Sequence, residues 1–306
     1  MIQRVKTCMV LATVAAISCG CGGKVVTGHT ELAPALRPVA KDATRDELLD
    51  QYNQIAHSTQ TLNATVELKP TAGSKYSGVI DEYHEVKAFL LAARPAQVRM
   101  IGQAPVVGTT VFDMASDGDT FRVSIPSKHK FLTGPVAVEK NSSKPIENLR
   151  PQHLLDALLW PEVRKEEATF VREFNDENAR YYILSVLRGG YQTEVLREVW
   201  FDRADLQVAR LQTFGPKGVL LSDVRLSDWQ PLEGAASQGA PSTPANGASA
   251  FPRAIRIDRP HDDYKLDLQV TKIVLNEDLP ADRFKLKQPA GSDLVHVGDA
   301  TENKQP

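Results

Sequence analysis

Leu48, Leu49, Tyr52, Ile55 and Ala56 recur at the spacing of one helical face, and they follow Thr44, a good N-cap with Glu47 three residues on. The spacing predicts an amphipathic helix laid over a sheet. From Leu62 the period changes. Phe121, Val123 and Ile125 place apolar side chains at every second position, which predicts strands with one buried face and one wet face. Such segments run as TLNATVEL, YSGVIDEY, EVKAFLLA, QVRMIGQ, TTVFDMA, TFRVSI and KFLTG. Asp117-Gly118 between two of them is a hairpin signal, because glycine tolerates the positive φ of a tight turn. LRPQHLLDALLW, residues 149–160, reads as a short helix ended by Pro161. Strands resume as ATFVREF, RYYILSVLRG, TEVLREVWFD, QVARLQTF and GVLLSDVRLSDW, and FPRAIRID and YKLDLQVTKIVL close the set. Meanders interrupted by two helices predict an antiparallel α+β body.

The segments outside this grammar divide the chain. Arg4 and Lys6 form a basic head before an uncharged run, Cys8 to Ile17, of roughly ten residues, half of the ~20 a membrane-spanning helix needs. A basic head, a short apolar run and small residues before a cut describe a secretory signal over residues 1–18. Ala16-Ile17-Ser18-Cys19 resembles the lipobox of bacterial lipoproteins, with Ala16 where Leu is commonest. That resemblance implies cleavage before Cys19 and a covalent lipid on its thiol. A cut before Cys21 fits the pattern less well, and an ordinary signal with a free mature thiol is the alternative. Residues 19–43 read as a lipidated tether, and residues 44–290 as a single domain. Within it, residues 233–250 are Ala, Gly, Ser and Pro with almost no charge, a flexible insertion between strands. Residues 291–306 form a polar, loose tail.

Composition narrows the function. The chain has 306 residues, 42% hydrophobic and 24% charged, which is ordinary globular usage. Loss of Arg4 and Lys6 with the signal would take the net charge from −2 to −4, with no basic face for nucleic acid. All three cysteines, Cys8, Cys19 and Cys21, fall within the first 21 residues, so the body forms no disulfide. Nothing after residue 24 is long and apolar enough to cross a bilayer. A diacylated or triacylated Cys19 would hold a body at a membrane surface, since one acyl chain binds marginally and two bind stably.

Catalytic signatures are weak. Cys19-Gly20-Cys21 lacks the spacing of a redox CxxC and the further ligands that zinc needs. Lys24 is followed by Val25, which rules out the phosphate-loop pattern. His84-Glu85 begins like HExxH, but Ala88 replaces the second histidine and the segment alternates like a strand. No nucleophile elbow is present. Asp258, Asp262 and Asp263 around His261 read as a solvated connection, and Asp117 and Asp119 as turn residues. Tyr181, Tyr182, Trp200, Phe201 and Trp229 read as core or cavity lining. The expectation is therefore no catalytic residue, no metal and no cofactor beyond the lipid on Cys19.

The order of parts resembles the LolA/LolB superfamily, and LolB-like lipoproteins in particular. GQAPVVGTTVF, residues 102–112, resembles the family's Asn-Pro-Leu-Gly-Ser/Thr-Thr turn, with Val-Val where LolB has one exposed Leu. DGDTFRVSIPSKHKFLTG resembles the segment that follows it, and FPRAIRI and VLNEDLPADRFKLKQPAG resemble the closing sheet. The likeness implies a curved antiparallel sheet forming an unclosed barrel, covered by short helices, with an apolar cavity for acyl chains. It also implies an outer-membrane lipoprotein facing the periplasm, which receives or inserts lipoproteins or lipids with a periplasmic carrier as partner. Pro105, Val106, Val107 and Gly108 match the loop that touches membrane or cargo; a plain strand connection tucked against the sheet is the other reading. The rival function is an accessory scaffold whose cavity is closed by its own Leu, Phe and Trp.

Overall fold

Thr44 opens α1 (Arg45–Ser58) as the sequence predicts. Its hydroxyl accepts from Glu47 N at 3.3 Å, and its own N–H donates to Glu47 Oε2 at 2.8 Å. Leu48, Tyr52 and Ala56 then form the buried stripe. The computed structural model describes residues 38–73, 81–82, 84–137, 148, 150–176, 179–189, 193–232 and 250–297. The elements below all lie in the unit Val39–Pro306. The signal, the lipobox with Cys19 and tether residues 19–37 lie outside the described residues.

The strands are β1 (Thr61–Ala72), β2 (Asp81–Glu82), β3 (Val86–Ala93), β4 (Gln97–Gln103), β5 (Thr110–Ser116), β6 (Thr120–Ile125) and β7 (Lys130–Pro135). After α2 (Pro151–Leu158) come β8 (Ala168–Asn175), β9 (Arg180–Arg188), β10 (Glu194–Asp202), β11 (Val208–Phe214), β12 (Leu220–Pro231), β13 (Ala250–Arg259), β14 (Tyr264–Leu275) and β15 (Asp293–His296). They form one curved sheet in the order β15-β7-β6-β5-β4-β3-β1-β14-β13-β12-β11-β10-β9-β8, with β2 paired to β1. Among the described residues β8 and β15 end the path without pairing, so the sheet is unclosed.

Two consecutive meanders explain the order: β3 to β7 extend one flank of β1, and β8 to β14 return to the other. Every second residue faces the helices. Leu62, Ala64, Val66 and Leu68 on β1 are buried there, beside Leu266, Leu268 and Val270 on β14. Phe112 lies opposite Gly102, and a Cβ on Gly102 would stand 2.3 Å from the Phe112 ring.

Three boundaries differ from expectation. Helix α2 begins at Pro151, which suits the first helical position, and ends at Leu158, so Trp160 lies beyond it. The tail after Gly291 is not wholly loose: Asp293–His296 pair in parallel with β7. This is the one parallel pairing among the described strands, and a polar sequence gives no periodic signal for it. Ala250, expected in the insertion, already belongs to β13; residues 233–249 lie outside the described residues.

Candidate functional site

The concave face is covered by α1, α2 and the segment after α2, and their side chains fill it. The rings of Tyr52 and Trp160 stack at 5.7 Å, and Trp229 meets Trp160 edge-on at 6.3 Å. Leu154, Leu155 and Leu158 of α2 complete a continuous core with Val199, Phe201, Val208, Val224 and Leu226 of the sheet. Burial of the Tyr52 phenol pushes its pKa up.

Two arginines fasten this cover. Arg94, at the end of β3, donates through Nε to Thr59 O at 2.9 Å and through Nη2 to Ala56 O and Trp160 O at 2.7 Å each. One guanidinium therefore satisfies carbonyls at the end of α1 and ties them to the chain after α2. Arg197, on the concave face of β10, donates to Pro161 O at 2.7 Å and pairs with Glu167 at 3.5 Å. Where the chain enters the domain, Arg203 binds Asp42 at 2.8 Å and Glu173 at 3.0 Å while its guanidinium covers the Tyr182 ring.

A polar cluster stands beside α2. His153 contacts the Tyr264 hydroxyl through Nδ1 and Arg259 Nη2 through Nε2, the latter at 3.1 Å. Arginine only donates, so Nε2 accepts, and the neutral ring keeps its proton on Nδ1 for the tyrosine oxygen. Arg259 is also held by Asp262 at 2.6 Å. Burial, then Arg259 and Arg150, hold the His153 pKa well below its ordinary value, and burial raises that of Tyr264. Asp156, one turn on, lies open to solvent, and crowding by the protein around it raises its carboxyl pKa. No spacing in the sequence links residue 153 to residues 259 and 264, so the cluster was not legible there.

The residues singled out from the sequence separate into distinct places. Pro105, Val106, Val107 and Gly108 form the tip between β4 and β5. Val106 is 96% and Val107 74% exposed, so the tip is not tucked against the sheet. Gly108 N donates to Ala104 O at 3.0 Å and Ala104 N to Thr109 O at 2.9 Å, and Gly108 sits at φ 66°. The left-handed glycine turns the chain back, and the two bonds hold the valines outward. Tyr182 and Phe201 are buried in the core, but Tyr181 and Trp200 are not cavity lining. Cross-strand register puts them on the opposite face, where they pack with Phe174 at 6.4 and 5.6 Å.

His84 and Glu85 are exposed between β2 and β3, away from any helix. Asp117 Oδ1 accepts from Asp119 N and Thr120 N, the turn role expected of it. Asp258 pairs with Lys265 at 3.0 Å and Asp262 with Arg259, so each carboxylate meets a cation of the chain itself. Among the described residues no three His, Cys, Asp or Glu side chains converge as a metal site. No described helix is long and apolar enough to cross a membrane.

Comparison with family models and with curated proteins gives no match. Several solved structures are similar in fold. A LolA superfamily protein from Nitrosomonas europaea is 13% identical with a TM-score of 0.45, over 80% of this chain and 99% of its own. A DUF1329 family protein from Desulfovibrio piger is 13% identical with a TM-score of 0.48, over 79% and 95%. A domain described as an outer membrane lipoprotein-sorting protein, from Vibrio parahaemolyticus, is 8% identical with a TM-score of 0.45, over 79% and 97%. These are what the chain is similar to, each at a TM-score below 0.5, and they carry no argument about its role.

Proposed function

We propose that this chain is a lipid-anchored protein of the bacterial envelope, tethered through Cys19, that takes an acyl chain between its helices and the concave sheet face. On this reading the Val106–Val107 tip touches the membrane, at the outer membrane facing the periplasm, and the cargo is a lipid or an acylated lipoprotein. The observation that carries it is that tip: two adjacent valines held clear of the fold by a closed turn, where burial in lipid returns about 25 cal/mol per Å² of apolar surface. An acyl chain entering the concavity gains about 0.8 kcal/mol per buried CH₂ and needs no catalytic group. Its entry displaces the Tyr52–Trp160 stack and loosens the Arg94 hydrogen bonds that close the cover.

A second reading rests on that same stack. If the concavity stays filled by Tyr52, Trp160 and the α2 leucines, the protein is an envelope scaffold and its work belongs to its partners. Native mass spectrometry of the full-length chain, released from detergent and incubated with a synthetic lipopeptide, separates the two. A stoichiometric adduct, with transfer to vesicles lost in Val106→Asp/Val107→Asp, is the outcome expected of a carrier. A persistently ligand-free mass would leave the scaffold.

A further inference from the structure

The sheet face turned away from the helices carries a different kind of site. Register places Arg210 on β11 directly opposite Arg225 on β12, and Arg225 directly opposite Arg256 on β13. Three cations therefore stand in one row on adjacent strands, with backbones about 5 Å apart. Like charges directly opposite one another destabilise a sheet unless something neutralises them. The two outer members are neutralised: Asp223 binds Arg210 through both carboxylate oxygens, and Asp267 binds Arg256 at 2.5 Å. Arg225, between them, is exposed and has no ion pair among the described residues.

Arg225 lies in a groove of about 530 Å³ that crosses β12, β13, β14 and β1. The row continues through Arg256 and Asp267 to Lys69, which is held by Glu82 at 2.7 Å. The adjacent row runs Ser227, Ala254, Gln269 and Glu67, small and neutral polar groups and then a carboxylate, with Lys87 of β3 opposite Glu67. Glu85 lines the same end. Neither Glu67 nor Glu85 makes an ion pair among the described residues. Among the described residues the groove thus has one cation outside any ion pair at its β12 end and two carboxylates outside any ion pair at its β1 end, where Lys87 stands opposite Glu67 and Lys69 lies within electrostatic reach of Glu85. Three strand spacings, about 14 Å between backbones, separate the ends, and the long side chains shorten that span.

We propose that this groove binds a zwitterionic ligand, its phosphate or carboxylate seated on Arg225 and its ammonium between Glu67 and Glu85. A planar guanidinium offers the two parallel donors an oxyanion takes, and the bound anion relieves the repulsion along Arg210, Arg225 and Arg256. The carboxylates at the far end disfavour a ligand that is only anionic. The site stands apart from the concave face and does not depend on acyl binding there.

Amide NMR of the full-length chain tests the proposal, with glycerophosphoethanolamine and inorganic phosphate as probes. Glycerophosphoethanolamine is expected to shift Ser227, Ala254 and Gln269 saturably and to bind more tightly than phosphate. Arg225→Gln should weaken both probes about tenfold or more, as loss of a bidentate charged pair implies. Glu67→Gln should weaken glycerophosphoethanolamine and leave or strengthen phosphate. Both side chains face solvent, so unchanged amide positions elsewhere will report an intact fold. Vesicles of phosphatidylethanolamine distinguish the source: changes at the same amides that Arg225→Gln abolishes assign a lipid head group, and a response to the soluble probe alone assigns a free small molecule. Shifts that are absent, or unaltered by Arg225→Gln, would overturn the site.

Discussion

Tyr52 of α1 and Trp160, two residues past α2, lie with ring planes 11° apart and centroids at 5.7 Å. This stack joins the two parts of the cover inside the concavity, so both stability and access to the interior turn on it. Trp160 is fixed further by its indole N–H on Ala157 O at 3.0 Å and by its carbonyl under Arg94.

Trp160→Ala removes a buried indole from this contact. It is expected to destabilise the domain by about 3–5 kcal/mol, the usual range for a buried aromatic truncated to alanine. Urea unfolding measures the loss, and native mass spectrometry asks whether the emptied volume takes up lipid. An unchanged midpoint would mean that the stack contributes nothing to closure.

Arg94→Leu leaves three carbonyls without their donor. A hydrogen bond to a charged group contributes about 1.5–3 kcal/mol, so the loss should fall at or above that range. The local consequence is faster hydrogen exchange at the end of α1, and Arg94→Lys, which keeps the charge but lacks the planar fork, should restore only part of the protection.

His153 makes stability fall in acid. Its pKa is depressed in the folded state, so between about 6.5 and that lower value the unfolded chain binds a proton that the folded chain does not. Stability from this residue is fully present above about pH 6.5 and is lost as pH drops toward the folded-state pKa. Asp156 works in the opposite direction, but its exposure keeps its share small. His153→Gln should flatten the pH dependence of the unfolding midpoint in this window; a slope identical to the parent would assign acid lability elsewhere.

Gly134 on β7 permits β15 to dock. A Cβ there would stand 2.4 Å from the Val297 carbonyl oxygen, a backbone atom that cannot swing aside. Gly134→Ala should cost about 1–3 kcal/mol of local strain or release the strand. Limited proteolysis at the C-terminal side of Gly291 reads this directly: earlier cleavage is expected, with the main unfolding transition little changed.

Much of the architecture was legible in the sequence because it depends on local period and local hydrogen bonds. The Thr44–Glu47 capping box, the apolar stripe Leu48-Tyr52-Ala56 and the alternation in β1 and β14 each follow from spacing within a few residues. The same holds for the turn at Asp117-Gly118, whereas the tip at Pro105–Gly108 was read from its resemblance to a family turn.

The tertiary structure decided which strands became neighbours, and with that every feature built across them. Alternation assigns a side chain to one of two faces but leaves the register open. Register alone stands Arg225 between Arg210 and Arg256 and sends Trp200 to the outer face. Arg94 reaches Ala56 and Trp160, and His153 reaches Arg259 and Tyr264, across sequence separations of 38 to 111 residues. A linear pattern carries no term for such contacts. They exist because the sheet curves around two short helices and brings distant carbonyls, rings and charges within hydrogen-bonding distance.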